Sequence, residues 1–363
     1  MGKPRNKSKN GKNKKQSNSQ MAQSNVQDEQ LQQHDSSAAA AANKTKYTID
    51  NLLERVQGYV ENFEYHMAVK FCERAYEMDP NNTQVLETFG NVCAEMGDVE
   101  SAKQHFHKAA ELQPFIGHVK YLYLGQLSEG LEAVQHYLRA VELLKDNLTI
   151  SNADPVEVIK RNISSVYCSL AELYMTDLCM TEDAERECGK YSQLAIDSDQ
   201  QNVEAYVNMA NYLLNCSKME GANAICQQAF NLWKSYTEAN KDNEDVIPEI
   251  MSYQIRLTLA KLLIEVEFFD KAYNVIEQLL NEDEDDVTLW YYLGLAKSLE
   301  KKESPKYYLD KALHLYKKTH CDDTEMLEHV NQLLQDCGEA SDDEEDDDFE
   351  TNNVLTQNGM DTT

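Results

Sequence analysis

The sequence predicts an all-α protein built from repeated pairs of antiparallel helices. Glycine and proline are scarce, at 13 and 6 of 363 residues, which suits helices joined by short turns better than strands. Residues of matching character also recur at an interval of 34 from Ile49 onwards. The matched pairs are Leu52 and Leu86, Ala68 and Ala102, Cys72 and Phe106, Ala75 and Ala109, and Pro80 and Pro114. Five pairs at one interval indicate an internal repeat.

A 34-residue period with small, aromatic and small side chains in this order is typical of tetratricopeptide repeats. The first helix of such a unit carries a Trp-x-x-Leu-Gly-x-x-Tyr pattern, which Trp290, Leu293 and Gly294 match. The second helix carries alanine, an aromatic residue and alanine, spaced so that all three lie on one stripe. The alanines are small because the two helices cross closely there.

The same template predicts a solenoid of about seven helix pairs. The third unit has a shortened turn and the fourth an extended one, and a polar insertion near residues 145–155 interrupts the register. Residues 324–334 predict a capping helix. We therefore expect a disordered basic and polar tail at 1–46, the solenoid with its cap at 47–338, and a disordered acidic tail at 339–363.

The charge is strongly negative and unevenly distributed. The whole chain has a net charge of −29, and residues 47–338 hold 25 basic and 50 acidic side chains. A field of this sign repels phosphate backbones and anionic lipids and speeds encounter with cationic partners. We expect no direct nucleic-acid binding by the solenoid, no membrane association and a basic protein as the partner.

The two tails carry opposite charges. The basic cluster at the N-terminus is a candidate nuclear-import signal and consists of Lys7, Lys9, Lys12, Lys14 and Lys15. An RNA-contacting arm and a plain solvated tail are the alternatives. The C-terminal tail, with ten acids and no base, is either a mobile polyanion that screens basic surface or an aid to solubility.

No sequence pattern of a catalytic site is present. The chain lacks a phosphate-binding glycine loop, a Gly-x-Ser-x-Gly, a His-Glu-x-x-His and a dinucleotide fingerprint, so we expect a non-enzyme without cofactor or metal. His105 and His107 should point to different faces of one helix. Cys72, Cys188 and Cys226 occupy repeat slots and should be core residues. Nine cysteines without a signal peptide indicate reduced thiols.

Candidate partner-binding residues are those on first helices that the template leaves facing the groove. They are Glu87, Asn91, Gln126, Glu129, Glu172, Glu204, Asn211 and Tyr291. Their carboxylates and amides favour an acidic cradle for a cationic partner, and an ordinary solvated face is the alternative. The set lacks the cation-plus-asparagine clamp of repeat proteins that dock heat-shock chaperones, because Glu87 stands one turn before Asn91 where that clamp needs a cation.

Two stretches go beyond generic repeat sequence. Residues 171–179 read Ala-Glu-Leu-Tyr-Met-Thr-Asp-Leu-Cys and are followed by Glu-Asp-Ala-Glu at 182–185. Residues 123–130 read Tyr-Leu-Gly-Gln-Leu-Ser-Glu-Gly. Both resemble the fungal-type tetratricopeptide proteins that serve as the dedicated assembly chaperone of large-subunit ribosomal protein four. The layout of basic start, solenoid and acidic tail is also similar.

The resemblance implies a function. Members of that family capture their ribosomal protein early, bind a long basic loop of it in the groove, and escort it through nuclear import to the pre-ribosome. It implies a holding chaperone of cytoplasm and nucleus that works without ATP, and we expect a monomer that binds one client. The alternatives are an adaptor for general heat-shock chaperones and a scaffold subunit of an RNA-processing or enzyme complex.

Overall fold

The structure is a computed structural model, and it describes residues 47–149, 155–241, 251–302 and 304–337. Both predicted tails lie outside these residues. The described ranges contain fifteen α-helices and no strand, and none of these helices combines the length and apolar character needed to cross a membrane. The helices are α1 Ile49–Glu61, α2 Tyr65–Met78, α3 Thr83–Glu95, α4 Val99–Leu112, α5 Val119–Leu127, α6 Gly130–Asn147, α7 Val156–Met175, α8 Ala184–Ser198, α9 Val203–Asn215, α10 Met219–Ala239, α11 Tyr253–Glu265, α12 Phe269–Glu282, α13 Val287–Glu300, α14 Lys306–Thr319 and α15 Thr324–Asp336.

Consecutive helices pack in pairs, from α1 with α2 to α13 with α14. Helix α15 follows as a single helix that packs on α13 and α14, in the place predicted for the cap. The all-α architecture of helix pairs is therefore confirmed. The shortened turn of the third pair is confirmed too, because only Ser128 and Glu129 separate α5 from α6. Residues 176–183 form the extended turn between α7 and α8.

Many helices begin at a side chain that accepts a hydrogen bond from the free amides of the first turn, as expected for short polar residues at this position. Thr48 forms a reciprocal capping box with Asn51 at the start of α1. The other residues that cap in this way are Asn82, Asp98, Asn202, Ser252, Asp286 and Asp323. The asparagines and aspartates in these short connections therefore mark the helix starts.

The chain divides into two compact units, which we call unit 1 (residues 1–143) and unit 2 (residues 144–363). The described part of unit 1 has one apolar core that runs from α1 into α6. Unit 2 has a large core centred on α9 to α12 and a smaller one between α13, α14 and α15.

The two helices of a pair approach most closely where a small residue of one faces a large residue of the other. A Cβ added to Gly90 would lie 2.9 Å from the Phe106 ring, and one added to Gly125 would lie 2.7 Å from the Tyr137 ring. Such separations do not occur between packed atoms, so only glycine fits. The second-helix alanines of the repeat template are fully buried; they include Ala68, Ala102, Ala133, Ala222 and Ala272.

Five of the nine cysteines are buried, three are half-buried and Cys179 is exposed. All nine are free thiols. The three assigned to repeat slots, Cys72, Cys188 and Cys226, are at most 2% exposed, which confirms their predicted packing role. Burial raises the pKa of the Cys72 thiol to about 12, so this sulfur stays protonated and unreactive at neutral pH.

The glycine slot yields a stability test. Gly125→Ala should lower the midpoint of urea-induced helix loss, with a cost on the order of 1–3 kcal/mol, because the methyl group displaces the Tyr137 ring. Gly58→Ala is the matched control. A Cβ there meets nothing within 4 Å, so the better helix propensity of alanine should raise stability by up to about 1 kcal/mol. Equal effects of the two changes would contradict the close crossing.

Candidate partner-binding site

The predicted groove residues fall on first helices of both units, with one exception. Unit 1 holds Glu87 and Asn91 on α3 and Gln126 on α5. Unit 2 holds Glu172 on α7, Glu204 and Asn211 on α9, and Tyr291 on α13. The prediction for Glu129 is wrong in its placement, since α5 ends at Leu127 and Glu129 lies in the following turn. Ser128, directly after α5, has an extended backbone, and Gly130 has a φ of +54°, so the chain leaves the helical path between α5 and α6.

The carboxylate of Glu87 already forms an ion pair within the chain. Its Oε1 lies 3.3 Å from Nζ of Lys120 on α5, a lysine whose side chain is fully buried. Lys120 Nζ also donates to the carbonyl oxygens of Ile116 and Gly117. A buried ammonium requires such partners, so the ion pair fastens α3 to the loop before α5. The sequence reasoning missed Lys120, although its separation of 33 residues from Glu87 is nearly one repeat.

Asn91 is also engaged within the chain. Its Oδ1 accepts a hydrogen bond of 2.6 Å from the Tyr123 hydroxyl on α5. The Tyr123 ring stacks on Phe106, with ring centroids 4.8 Å apart and an interplanar angle of 7°. The stack holds the Tyr123 ring in place, and the ring in turn fixes the positions of its hydroxyl and of the Asn91 amide that it contacts. In unit 1 the side chains of Gln126 and Glu129 remain exposed.

In unit 2, two carboxylates of successive first helices have different surroundings. Glu172 on α7 is exposed, whereas Glu204 on α9 is half-buried. The Ser165 hydroxyl donates a 3.2 Å hydrogen bond to Oε2 of Glu204. Burial raises the pKa of Glu204 above its ordinary value, and the nearby charge of Glu172 raises it further, while the Ser165 hydrogen bond opposes the shift. The fold therefore holds a carboxylate where its negative charge is unfavourable.

The last two predicted residues differ in their setting. Asn211 is half-buried on α9. The hydroxyl of Tyr291 on α13 lies 2.7 Å from Nδ1 of His329 on the cap helix α15, and the two rings are 5.7 Å apart in an edge arrangement. Tyr291 thus helps to join the cap to the last helix pair. Among the predicted residues, Glu172, Gln126 and Glu129 are the fully exposed ones.

The chain is similar to several known proteins. A tetratricopeptide repeat family model matches residues 83–115. A probable assembly chaperone of rpl4 from Schizosaccharomyces pombe is 30% identical over 74% of this chain and 84% of the relative. A protein of the same name from Emericella nidulans is 26% identical over 82% of this chain and 84% of the relative.

The chain belongs to the family of these rpl4 assembly chaperones. A solved structure of this family agrees: the assembly chaperone of RpL4 (Acl4), residues 1–338, is 25% identical, with a TM-score of 0.60 over 70% of this chain and 98% of that one. The resemblance inferred from residues 123–130 and 171–185 is therefore confirmed. In this chain the helix-pair fold places carboxylates and amides on first helices, and several of them contact a neighbouring repeat.

In this member of the rpl4 assembly-chaperone family, the raised pKa of Glu204 predicts how folding stability changes with pH. Its raised pKa means that the folded chain binds this proton more tightly than the unfolded chain does. Stability therefore falls as pH rises through the window above the ordinary glutamate pKa. Glu204→Gln removes this cost, so its unfolding midpoint should exceed that of the wild type at neutral pH. The difference should vanish below the ordinary glutamate pKa, where both folded and unfolded states are protonated.

Glu277→Gln on the second helix α12 is the matched control, because Glu277 is also half-buried in a helix interior. Its unfolding midpoint should not exceed that of the wild type at neutral pH. Urea titrations monitored by circular dichroism at several pH values measure both variants. A destabilised Glu204→Gln variant at neutral pH would refute an unfavourable charge at this position.

Proposed function

We propose that this chain is a dedicated holding chaperone for a newly made basic protein of the large ribosomal subunit, the rpl4 named for its relatives. It binds the client through first-helix carboxylates and amides and escorts it to the nuclear pre-ribosome. It acts by binding, without catalysis or a cofactor, as one chain to one client. Family membership supports the client class, and the surface chemistry supports the mode of binding.

The charge of the chain suits such a client. Residues 47–143 carry 15 acidic and 7 basic side chains, and residues 144–337 carry 35 and 18. Segments of ribosomal proteins that insert into ribosomal RNA are cationic. Before assembly no RNA is present to neutralise their charge. An acidic surface supplies that charge temporarily, and it repels the RNA that will later replace it.

The observation that carries the mechanism is the half-buried Glu204. Its carboxylate accepts one hydrogen bond from Ser165, lies near Glu172, and is held where burial disfavours its charge. A lysine or arginine of the client placed against Glu204 and Glu172 would offset that cost, since opposite charge favours the ionised form. Retention of an unfavourable charge is common where a site serves function at the expense of stability.

The two tails have proposed roles of their own. The N-terminal lysine cluster carries the import signal, so the chain works in both cytoplasm and nucleus. The acidic tail at 339–363 extends the negative surface. Replacing Lys12, Lys14 and Lys15 by alanine in the full chain should lower its nuclear fraction, measured by imaging of a fluorescent fusion. Changing Lys44 and Lys46 of the same tail to alanine is the control. Equal nuclear fractions in both variants would contradict an import role.

The binding mode is tested by charge reversal. Glu172→Lys should weaken the affinity for the client by on the order of tenfold, because it places a cation beside the proposed cationic ligand. Affinity of the wild type should also fall with rising salt, since screening shortens to about 8 Å at physiological ionic strength. Calorimetric titration with purified rpl4 at several salt concentrations measures both effects.

Glu238→Lys is the matched control, because Glu238 is an exposed glutamate on the second helix α10 of the same unit and its reversal changes net charge equally. It should reduce affinity much less than Glu172→Lys. Equal losses would mean that only the overall charge matters, and affinity indifferent to salt would exclude the electrostatic mode of binding.

A further inference from the structure

Two histidines and a glutamate of unit 1 come together on second helices, apart from the first-helix residues described above. His107 lies on α4, and Glu132 and His136 lie on α6. One ligand atom from each residue can be chosen so that all three atoms lie within 4.8 Å of one another. The His136 Nε2 is 3.8 Å from the Glu132 Oε1, and the two imidazole rings have centroids 5.6 Å apart.

We propose that His107, Glu132 and His136 form a binding site for a divalent first-row transition-metal ion. Two imidazoles and one carboxylate are a ligand set that zinc accepts, and three protein ligands leave a position for water. Zinc binds such ligands at about 2.0–2.2 Å, which places the donor atoms about 3.3 Å apart around a tetrahedral ion. The observed spacing of at most 4.8 Å needs a closure of up to about 1.5 Å, within reach of rotations of these side chains.

The repeat packing holds the three residues in register. His107 follows Phe106, whose ring fills the glycine slot of the second helix pair, and His136 precedes Tyr137, whose ring fills that of the third. Glu132 and His136 are four residues apart and therefore share one face of α6. Both backbone segments are thus fixed by buried anchors, while the ligands themselves are accessible: His107 and Glu132 are exposed and His136 is half-buried.

The neighbouring groups agree with this assignment. A neutral imidazole ring offers a nitrogen lone pair to a metal ion. His105, two residues from His107, instead directs its Nδ1 to the Ser101 carbonyl oxygen at 2.6 Å. The predicted separation of His105 and His107 onto different faces is consistent with this, but the expectation of no metal ligand took no account of α6, which the repeat brings beside α4.

An ion at this position would join the second helices of two successive repeats. Any ligand that binds only the folded chain stabilises it by an amount that grows with the ratio of free ligand concentration to Kd, so the metal would raise the thermal midpoint of the chain. The position on second helices keeps this site separate from Glu87, Asn91 and Gln126 on first helices. The inference is therefore independent of the proposed chaperone activity.

The test uses the full chain, freed of metal by a chelator and kept reduced with a phosphine. Titration with Co²⁺, followed by visible absorption, should show one equivalent bound with nitrogen and oxygen ligands and no thiolate charge-transfer band. Zn²⁺ should displace the Co²⁺. Changes outside the ligand set of metal sites already cost about 10–100-fold in affinity, so His107→Gln and His136→Gln should each weaken binding by at least about tenfold.

His66→Gln, which changes an exposed histidine on α2, is the matched control and should bind as the wild type does. Zn²⁺ should raise the thermal midpoint of the wild type and of His66→Gln, but not of His107→Gln or His136→Gln. Circular dichroism of the metal-free variants should match the wild type, since the ligands are accessible side chains. Binding that all variants retain, a thiolate band that accounts for the bound Co²⁺, or no binding would each overturn the proposal.

Discussion

The structure depends on the close crossing of the two helices within each repeat. At this crossing a glycine or alanine of one helix leaves room for a large side chain of the other, as Gly90 does for Phe106 and Gly125 for Tyr137. A protein interior packs at the density of a crystal, so an added methyl group at these points has no space. Because the crossing is fixed, each side chain elsewhere on the two helices has a fixed position relative to its neighbours.

That constraint determines which residues of successive first helices meet. Glu87 and Lys120 are 33 residues apart, Asn91 and Tyr123 are 32, and Ser165 and Glu204 are 39. The first two separations are close to the repeat length, and the third is longer because the turn of the fourth pair is extended. Polar contacts between repeats thus follow the same period as the core. Side chains held in this way lose less entropy when they bind, which favours affinity and specificity.

The sequence could predict the parts of this structure that depend on period and residue size. The core alanines, the buried Cys72 and Cys226, and the cap helix all follow from a repeat template and hydrophobic spacing. What the template could not supply is the neighbour of each polar side chain. Lys120 occupies no template slot, and its burial beside Glu87 depends on a loop whose carbonyl oxygens happen to surround it.

The misplaced Glu129 has a simpler origin. The template extends the first helix of every repeat to the same length, whereas the third ends early, at an extended Ser128 that is followed by Gly130 with a positive φ. Gly130 lies three residues beyond Leu127, the last apolar position, and a glycine soon after the last periodic residue is a recognised stop signal, so this error was open to correction from the sequence. The division of the groove residues into engaged and exposed ones could not be predicted from the sequence, since it depends on contacts across repeats.

Within unit 2, the two carboxylates Glu172 and Glu204 differ in exposure and therefore in how they would act on a cation. The exposed Glu172 would attract a cation from a distance, whereas the half-buried Glu204 would be stabilised only by a cation in direct contact. Long-range charge chiefly accelerates encounter, and a desolvated partner chiefly slows release. In the proposed mode of binding, the two carboxylates together would select an extended basic segment without a deep pocket.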